Sequence, residues 1–187
     1  ALRDKESYEI RAYSESEGIK RDADVYVVHG LKRPSSFDYL NNSNKPVWWF
    51  AYNGESLLRV FESTELTSIR KGLRGFQESV PAWNTRFQLF ELLDPNIKII
   101  NWNALETPLL VINAPAEYVQ FYQTWSGTQT NVPLMFSRKT AKAEHVFLGL
   151  GIWRWRMNEF RKTERTSYFD NWVLQNIQWL IRSNSGK

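Results

Sequence analysis

At 187 residues the chain is long enough to bury a core as one domain without covalent staples, and the absence of cysteine excludes thiol nucleophiles, thiolate metal sites and disulfide frameworks. Its longest apolar runs, Val25-Tyr26-Val27-Val28 and Val47-Trp48-Trp49-Phe50-Ala51, fall far short of the roughly 20 residues that cross a bilayer. Twenty-four Lys and Arg against twenty Asp and Glu leave a net charge of +4, and acids accompany the basic residues throughout, which describes a solvated surface better than a nucleic-acid footprint.

Taken in chain order, residues 8–13 alternate with the two-residue period of a half-buried strand, and residues 24–29 form a continuous apolar run of buried-strand type ending at His29. A short helix is expected between Pro34 and Asn44, followed by a second buried strand over 46–52 that stops at the turn Asn53-Gly54. Leu57, Leu58, Phe61 and Leu66 recur at helical spacing. The strand, helix, strand rhythm predicts a parallel sheet. Residues 75–116 carry Pro81, Pro95, Pro108 and Pro115 among aromatic and aliphatic clusters, too apolar for disorder, and read as an irregular insertion with short strands or helical turns. A strand over 119–125, a turn at Ser126-Gly127 and two more strands over 132–137 and 145–150 predict an antiparallel edge. Helical patterns follow over 153–162 and 168–182; in the second, Phe169, Trp172, Val173, Asn176, Ile177 and Leu180 form an apolar stripe with the 3.6-residue period. No repeat or second domain interrupts residues 1–187.

Few residues carry recognisable chemistry. His29 and His145 are the two histidines; neither has an acid at zinc-ligand spacing, and no metal or cofactor site is expected. His145 reads as a structural strand residue, whereas His29 ends a strand where open parallel sheets bind ligands. Asn53-Gly54-Glu55-Ser56 stands at the end of the next strand, but Gly54-Glu55-Ser56-Leu57-Leu58 lacks the second glycine of a nucleophile turn. Gly149-Leu150-Gly151 is a truncated dinucleotide fingerprint with Arg154 in place of the third glycine. If Ile152-Trp153-Arg154-Trp155-Arg156 opens a helix, its free N–H groups and guanidiniums can receive an anion. The alternative is that Trp153 and Trp155 pack inward while Arg154 and Arg156 pair with acids such as Glu159.

The run Gly149-Leu150-Gly151-Ile152-Trp153-Arg154-Trp155-Arg156-Met157, with a helix from Phe169 to Trp179-Leu180, resembles the glutamine amidotransferase-like domain of large Bacteroidetes-type membrane proteins related to von Willebrand factor A proteins. Looser matches precede it in order: the strand ending at His29, Pro46-Val47-Trp48-Trp49-Phe50, Asn84-Thr85-Arg86-Phe87-Gln88-Leu89-Phe90, and Asn131-Val132-Pro133-Leu134-Met135. The resemblance implies a flavodoxin-like, mostly parallel sheet with helices on both faces and an antiparallel edge hairpin. Active members of that superfamily use a cysteine nucleophile, which this sequence lacks, so the glutaminase reaction does not carry over. Such domains open with a strand and helix ahead of the strand matching residues 8–13, and only six residues from Leu2 precede it here; either that first strand is missing or the sheet is arranged differently. A missing strand would favour pairing between chains.

The expectation is therefore a non-catalytic binding or scaffolding domain, membrane-tethered through segments outside these residues, with the extracytoplasmic face favoured. Its ligand site is expected at the strand ends, with His29, Asn53, Gly54, Gly149, Gly151, Trp153 and Arg154 receiving a small anionic ligand or a protein. The competing readings are a hydrolase working in the cleft near His29 and Asn53, and a binder of single-stranded nucleic acid that uses the nine tryptophans.

Overall fold

The computed structural model describes residues 8–20, 22–51, 60, 75–91, 102–109, 112–139 and 141–185. Among these residues seven strands form one mixed sheet: β1 (Tyr26–His29), β2 (Val47–Phe50), β3 (Phe76–Trp83), β4 (Leu105–Pro108), β5 (Val119–Trp125), β6 (Thr128–Lys139) and β7 (Ala143–Phe147). Their spatial order is β1-β2-β7-β6-β5-β3-β4. Three α-helices accompany them among the described residues: α1 (Pro34–Asn42), α2 (Trp153–Thr163) and α3 (Ser167–Ser185). Pro34 opens α1, where its fixed φ suits the first turn and its missing N–H would have had no helical partner.

The sheet is not mostly parallel. β1 with β2 and β2 with β7 run parallel, whereas β7–β6, β6–β5, β5–β3 and β3–β4 are antiparallel. For the two hairpins, β5–β6 and β6–β7, the cause is connection length. β5 and β6 are joined by Ser126-Gly127 alone, both with positive φ, and three residues join β6 to β7; links this short cannot return a chain to start a parallel strand. The hairpin expected at an edge consequently sits at the centre of the sheet, and β7 joins the parallel pair from the middle. β3 and β4 come from the stretch read as irregular.

Residues 8–13 form no strand. Ile10 is 89% exposed, so the alternating pattern has no apolar face to bury, and Arg11 pairs with Glu9 and Asp22 at the surface. The helix expected at Leu57, Leu58, Phe61 and Leu66, like Ser56, lies outside the described residues.

Helices cover both faces of the sheet. Trp48 and Trp49 are consecutive in β2 and so point to opposite sides. Trp49 joins Phe37 and Leu40 of α1, with Val119, Phe136 and Val146, in one core layer. Trp48 joins Phe121, Met135 and Phe147 beneath Trp155 of α2 and Phe169, Trp172 and Leu180 of α3. Trp155 is the hub of the second layer, with ring centroids 4.9 Å from Trp102, 5.6 Å from Phe147 and 5.8 Å from both Phe121 and Trp172. The predicted stripe of α3 faces this layer: Phe169, Trp172, Asn176 and Leu180 are all buried.

Candidate functional site

The parallel register places three strand ends along one edge of the sheet. His29 lies opposite Phe50, and Phe50 opposite Phe147, so the carboxyl ends of β1, β2 and β7 are neighbours, as the sequence reading required. Asn53 and Gly54 lie outside the described residues. His29 is exposed at the sheet edge, its ring 6.3 Å from that of Phe50. Beneath it, Val28, Gly30, Phe37, Trp49 and Val60 line a cavity of about 10 Å³, which holds roughly one water molecule.

Packing and backbone conformation already account for the glycines at the end of β7. A Cβ on Gly149 would stand 3.0 Å from the Phe147 ring and 3.3 Å from Leu105, because the backbone N–H of Leu150 donates to the carbonyl of Glu106 at 2.8 Å and draws β4 over this strand end. Gly151 has a φ of +84°, the left-handed region in which a side chain is strained. The start of α2 also differs from expectation. The N–H groups of Arg154 and Trp155 donate to the carbonyls of Gly151 and Ile152 at 2.8 and 3.0 Å, so they are not free for an anion. At the N-terminus of α1 the carboxylate of Glu15 accepts the N–H groups of Lys32 and Arg33, an intramolecular anion in the place that favours one.

The two accounts of the tryptophan-arginine run divide residue by residue. Trp155 is buried and donates through Nε1 to the Asn103 carbonyl at 2.8 Å. Trp153 is 62% exposed. Arg156 pairs with Asp170 at 2.9 Å, not with Glu159. Buried Glu159 instead accepts the N–H groups of Tyr168 and Phe169 at 2.9 and 2.8 Å, capping the first turn of α3. Arg154 is exposed, folds its side chain over Gly151, and places its guanidinium carbon 5.8 Å from the centre of the Trp153 ring. No ion pair engages it among the described residues, so the pairing of Arg154 with an acid that the alternative required is not seen there.

Two polar clusters escaped the sequence reading. Ser137 and His145 are direct partners across the β6–β7 hairpin, with Ser137 Oγ 2.7 Å from His145 Nδ1 and His145 Nε2 3.2 Å from the carbonyl of Asn176. A carbonyl only accepts, so Nε2 carries the proton and Nδ1 accepts from the serine. The pairing has the form of a serine and its base, yet both residues are buried, with the imidazole stacked on Trp179 at 4.7 Å and edge-on to Trp48. A substrate has no access to this hydroxyl while the core is packed. The signal for the pair was the hairpin itself, once its register is known.

Burial pushes the His145 imidazole down to about 3, against the smaller upward pull of the Asn176 carbonyl. The unfolded chain takes up this proton near 6.5, so between those values the unfolded state binds more protons than the folded one. Stability is intact above about pH 6.5 and falls toward about pH 3, by at most roughly 1.4 kcal/mol per pH unit from this group. Thermal melts from about pH 7 to about pH 5 should show that decline, and His145→Gln should flatten it. An unchanged slope in the variant would exclude His145 as its source.

The second cluster lies on the α1 face. Glu144 accepts from Arg138 Nε at 2.5 Å and from Trp49 Nε1 at 2.9 Å, with Lys142 Nζ 3.8 Å away; all four side chains are buried. Lys142 donates to the carbonyls of Leu40 and Asn41 in the last turn of α1, as suits a cation at a helix C-terminus, and Arg138 donates to the carbonyl of Val60. Burial holds the Lys142 ammonium below its usual range, opposed by the attraction of Glu144. The cluster ties α1 to the sheet.

No helix among the described residues is long and apolar enough to cross a membrane. Comparison with protein-family models, curated proteins and solved structures gave no match. Fold and site define an α/β domain built on a mixed seven-stranded sheet, with an exposed tryptophan-arginine pair at the exit of β7.

Proposed function

We propose that this chain is a binding module without catalysis of its own, part of a larger membrane-tethered protein, and that it meets its partner through Trp153 and Arg154. The observation that carries the proposal is the exposure of Trp153 two residues from the buried hub Trp155. Burying a tryptophan is strongly favourable; Trp153 shares its helix with exposed Met157 and Phe160, and a patch of that kind marks a contact surface. Kinship with the amidotransferase-like domains and their flavodoxin-like core belongs to the same proposal. It is supported by the parallel β1, β2 and β7 with aligned carboxyl ends and by helices on both faces.

Exposed contact residues contribute little to folding. Trp153→Ala and Arg154→Ala should therefore keep the melting temperature within about 2 °C of the parent. The chain given glutamine should release no ammonia above a heat-killed control. A clear loss of melting temperature in both variants would make the pair a structural corner, and ammonia release would overturn the non-enzymatic reading.

A further inference from the structure

Helix α2 has two apolar faces, and one lies in the fold. Trp155 and Glu159 turn inward, whereas Trp153, Met157 and Phe160 are 62%, 40% and 51% exposed. These three stand at i, i+4 and i+7, successive turns of one side of the helix. They form a continuous apolar ridge opposite the face that packs. Isolated exposed apolar residues are ordinary, but three in register on one helix are a patch that solvent does not favour.

Cations predominate around the ridge, against one exposed carboxylate, Glu164 at the C-cap of the helix. Residues 153–165 carry five cations and two carboxylates, Glu159 and Glu164; Glu159 is buried under α3, and Arg156 is engaged by Asp170. Arg154, Arg161 and Lys162 are exposed and make no ion pair among the described residues. Arg154 and Arg161 lie on one flank of the ridge, about 100° and about 80° around the helix from Trp153, whereas Lys162 is about 180° away.

We infer that the outer face of α2 docks on an anionic lipid surface, with Trp153, Met157 and Phe160 entering the interface and Arg154 and Arg161 meeting lipid phosphates and carboxylates. The inference rests on the proposed binding reading and names the partner of that same face. Charge complementarity selects the occupant. An apolar ridge bordered by long basic side chains is the form of an interfacial helix: the aromatic rings sit at headgroup depth while the arginine and lysine stems lie along the surface with their charges in water. The ridge is convex, and a bilayer yields to a convex insert, whereas a protein occupant would have to supply a groove with an acidic rim. Each cation close to an anionic leaflet adds attraction that added salt removes.

Co-sedimentation of the full chain with vesicles tests this directly. Partition onto phosphatidylcholine vesicles with about one-third phosphatidylserine should exceed that onto pure phosphatidylcholine by about tenfold or more, and should fall sharply between roughly 0.1 M and 0.5 M salt. Trp153→Ser with Phe160→Ser, and separately Arg154→Glu with Arg161→Glu, should each lower it by about tenfold. Leu174→Ser, an exposed position on α3, should leave it unchanged. Equal partition on both vesicles, or full binding by folded variants of either pair, overturns the lipid assignment. If a folded parent binds no vesicle while Trp153→Ala and Arg154→Ala still melt normally, the lipid assignment falls alone and an acidic protein groove replaces it. If those two single variants lose stability, the binding face falls with it.

Discussion

Replacing Trp172 with alanine is expected to lower the unfolding free energy by about 3 to 5 kcal/mol, the range for removing a fully buried indole. Its ring lies among Trp48 at 5.6 Å, Phe169 at 5.7 Å, Trp155 at 5.8 Å and Phe121 at 6.0 Å, so truncation opens a cavity where α2, α3 and the sheet converge. Rings from separate elements cannot close that space without moving the helices. The indole also donates to buried Gln120 Oε1 at 2.9 Å, an acceptor left without this donor in the variant. Trp172→Phe keeps most of the area and loses the hydrogen bond, and should cost about 1 to 2 kcal/mol. Urea denaturation followed by circular dichroism reads both. A loss below about 0.5 kcal/mol for the alanine variant would mean that α3 does not pack through this residue.

Glu144→Ala should cost about as much, roughly 3 to 5 kcal/mol, by an electrostatic route. The carboxylate faces both buried Arg138 and buried Lys142, and it accepts the Trp49 indole as well. Its removal leaves two cations in a low-dielectric layer without that counter-charge, and the cost is mainly the desolvation of what remains. A double-mutant cycle separates this from simple loss of packing. Arg138→Met with Glu144→Met removes one charge of each sign, and should cost less than the sum of the single variants by about 1 to 3 kcal/mol. Additive losses would show that the pair is not coupled.

The readable part of this protein lay in local periodicity. The apolar runs at β1 and β2, the Pro34 start of α1, the Ser126-Gly127 turn and the stripe of α3 were visible because each is set by residues within a few positions of one another. The failure at residues 8–13 has the same root: alternation is a necessary signature of a half-buried strand, and only a face to pack against makes it sufficient. Strand pairing is decided by contacts far apart in the chain. The hairpin of β6 and β7 was legible as a hairpin but not as the centre of the sheet, since its position depends on β2 joining β7 across nearly 100 residues.

The candidate site divides along the same line. From sequence, the glycine turn and the tryptophan-arginine run could be placed at a strand end beside His29, and the register of β1, β2 and β7 puts their carboxyl ends side by side. Which tryptophan faces the core could not be read, because Trp153 and Trp155 are about 200° apart on α2 and either face could be chosen by pattern alone. The tertiary packing chose Trp155, since the layer formed by Phe121, Phe147 and Trp172 had room for one indole and a carbonyl for its N–H. That choice turned Trp153, Met157 and Phe160 outward, gave Arg156 to Asp170 and Glu159 to the start of α3. Composition and periodicity determined an α/β chain with β1, β2, the β5 to β7 strands and the three helices; β3 and β4, the sheet order, the buried charge cluster and the exposed ridge came from long-range packing, which no local pattern encodes.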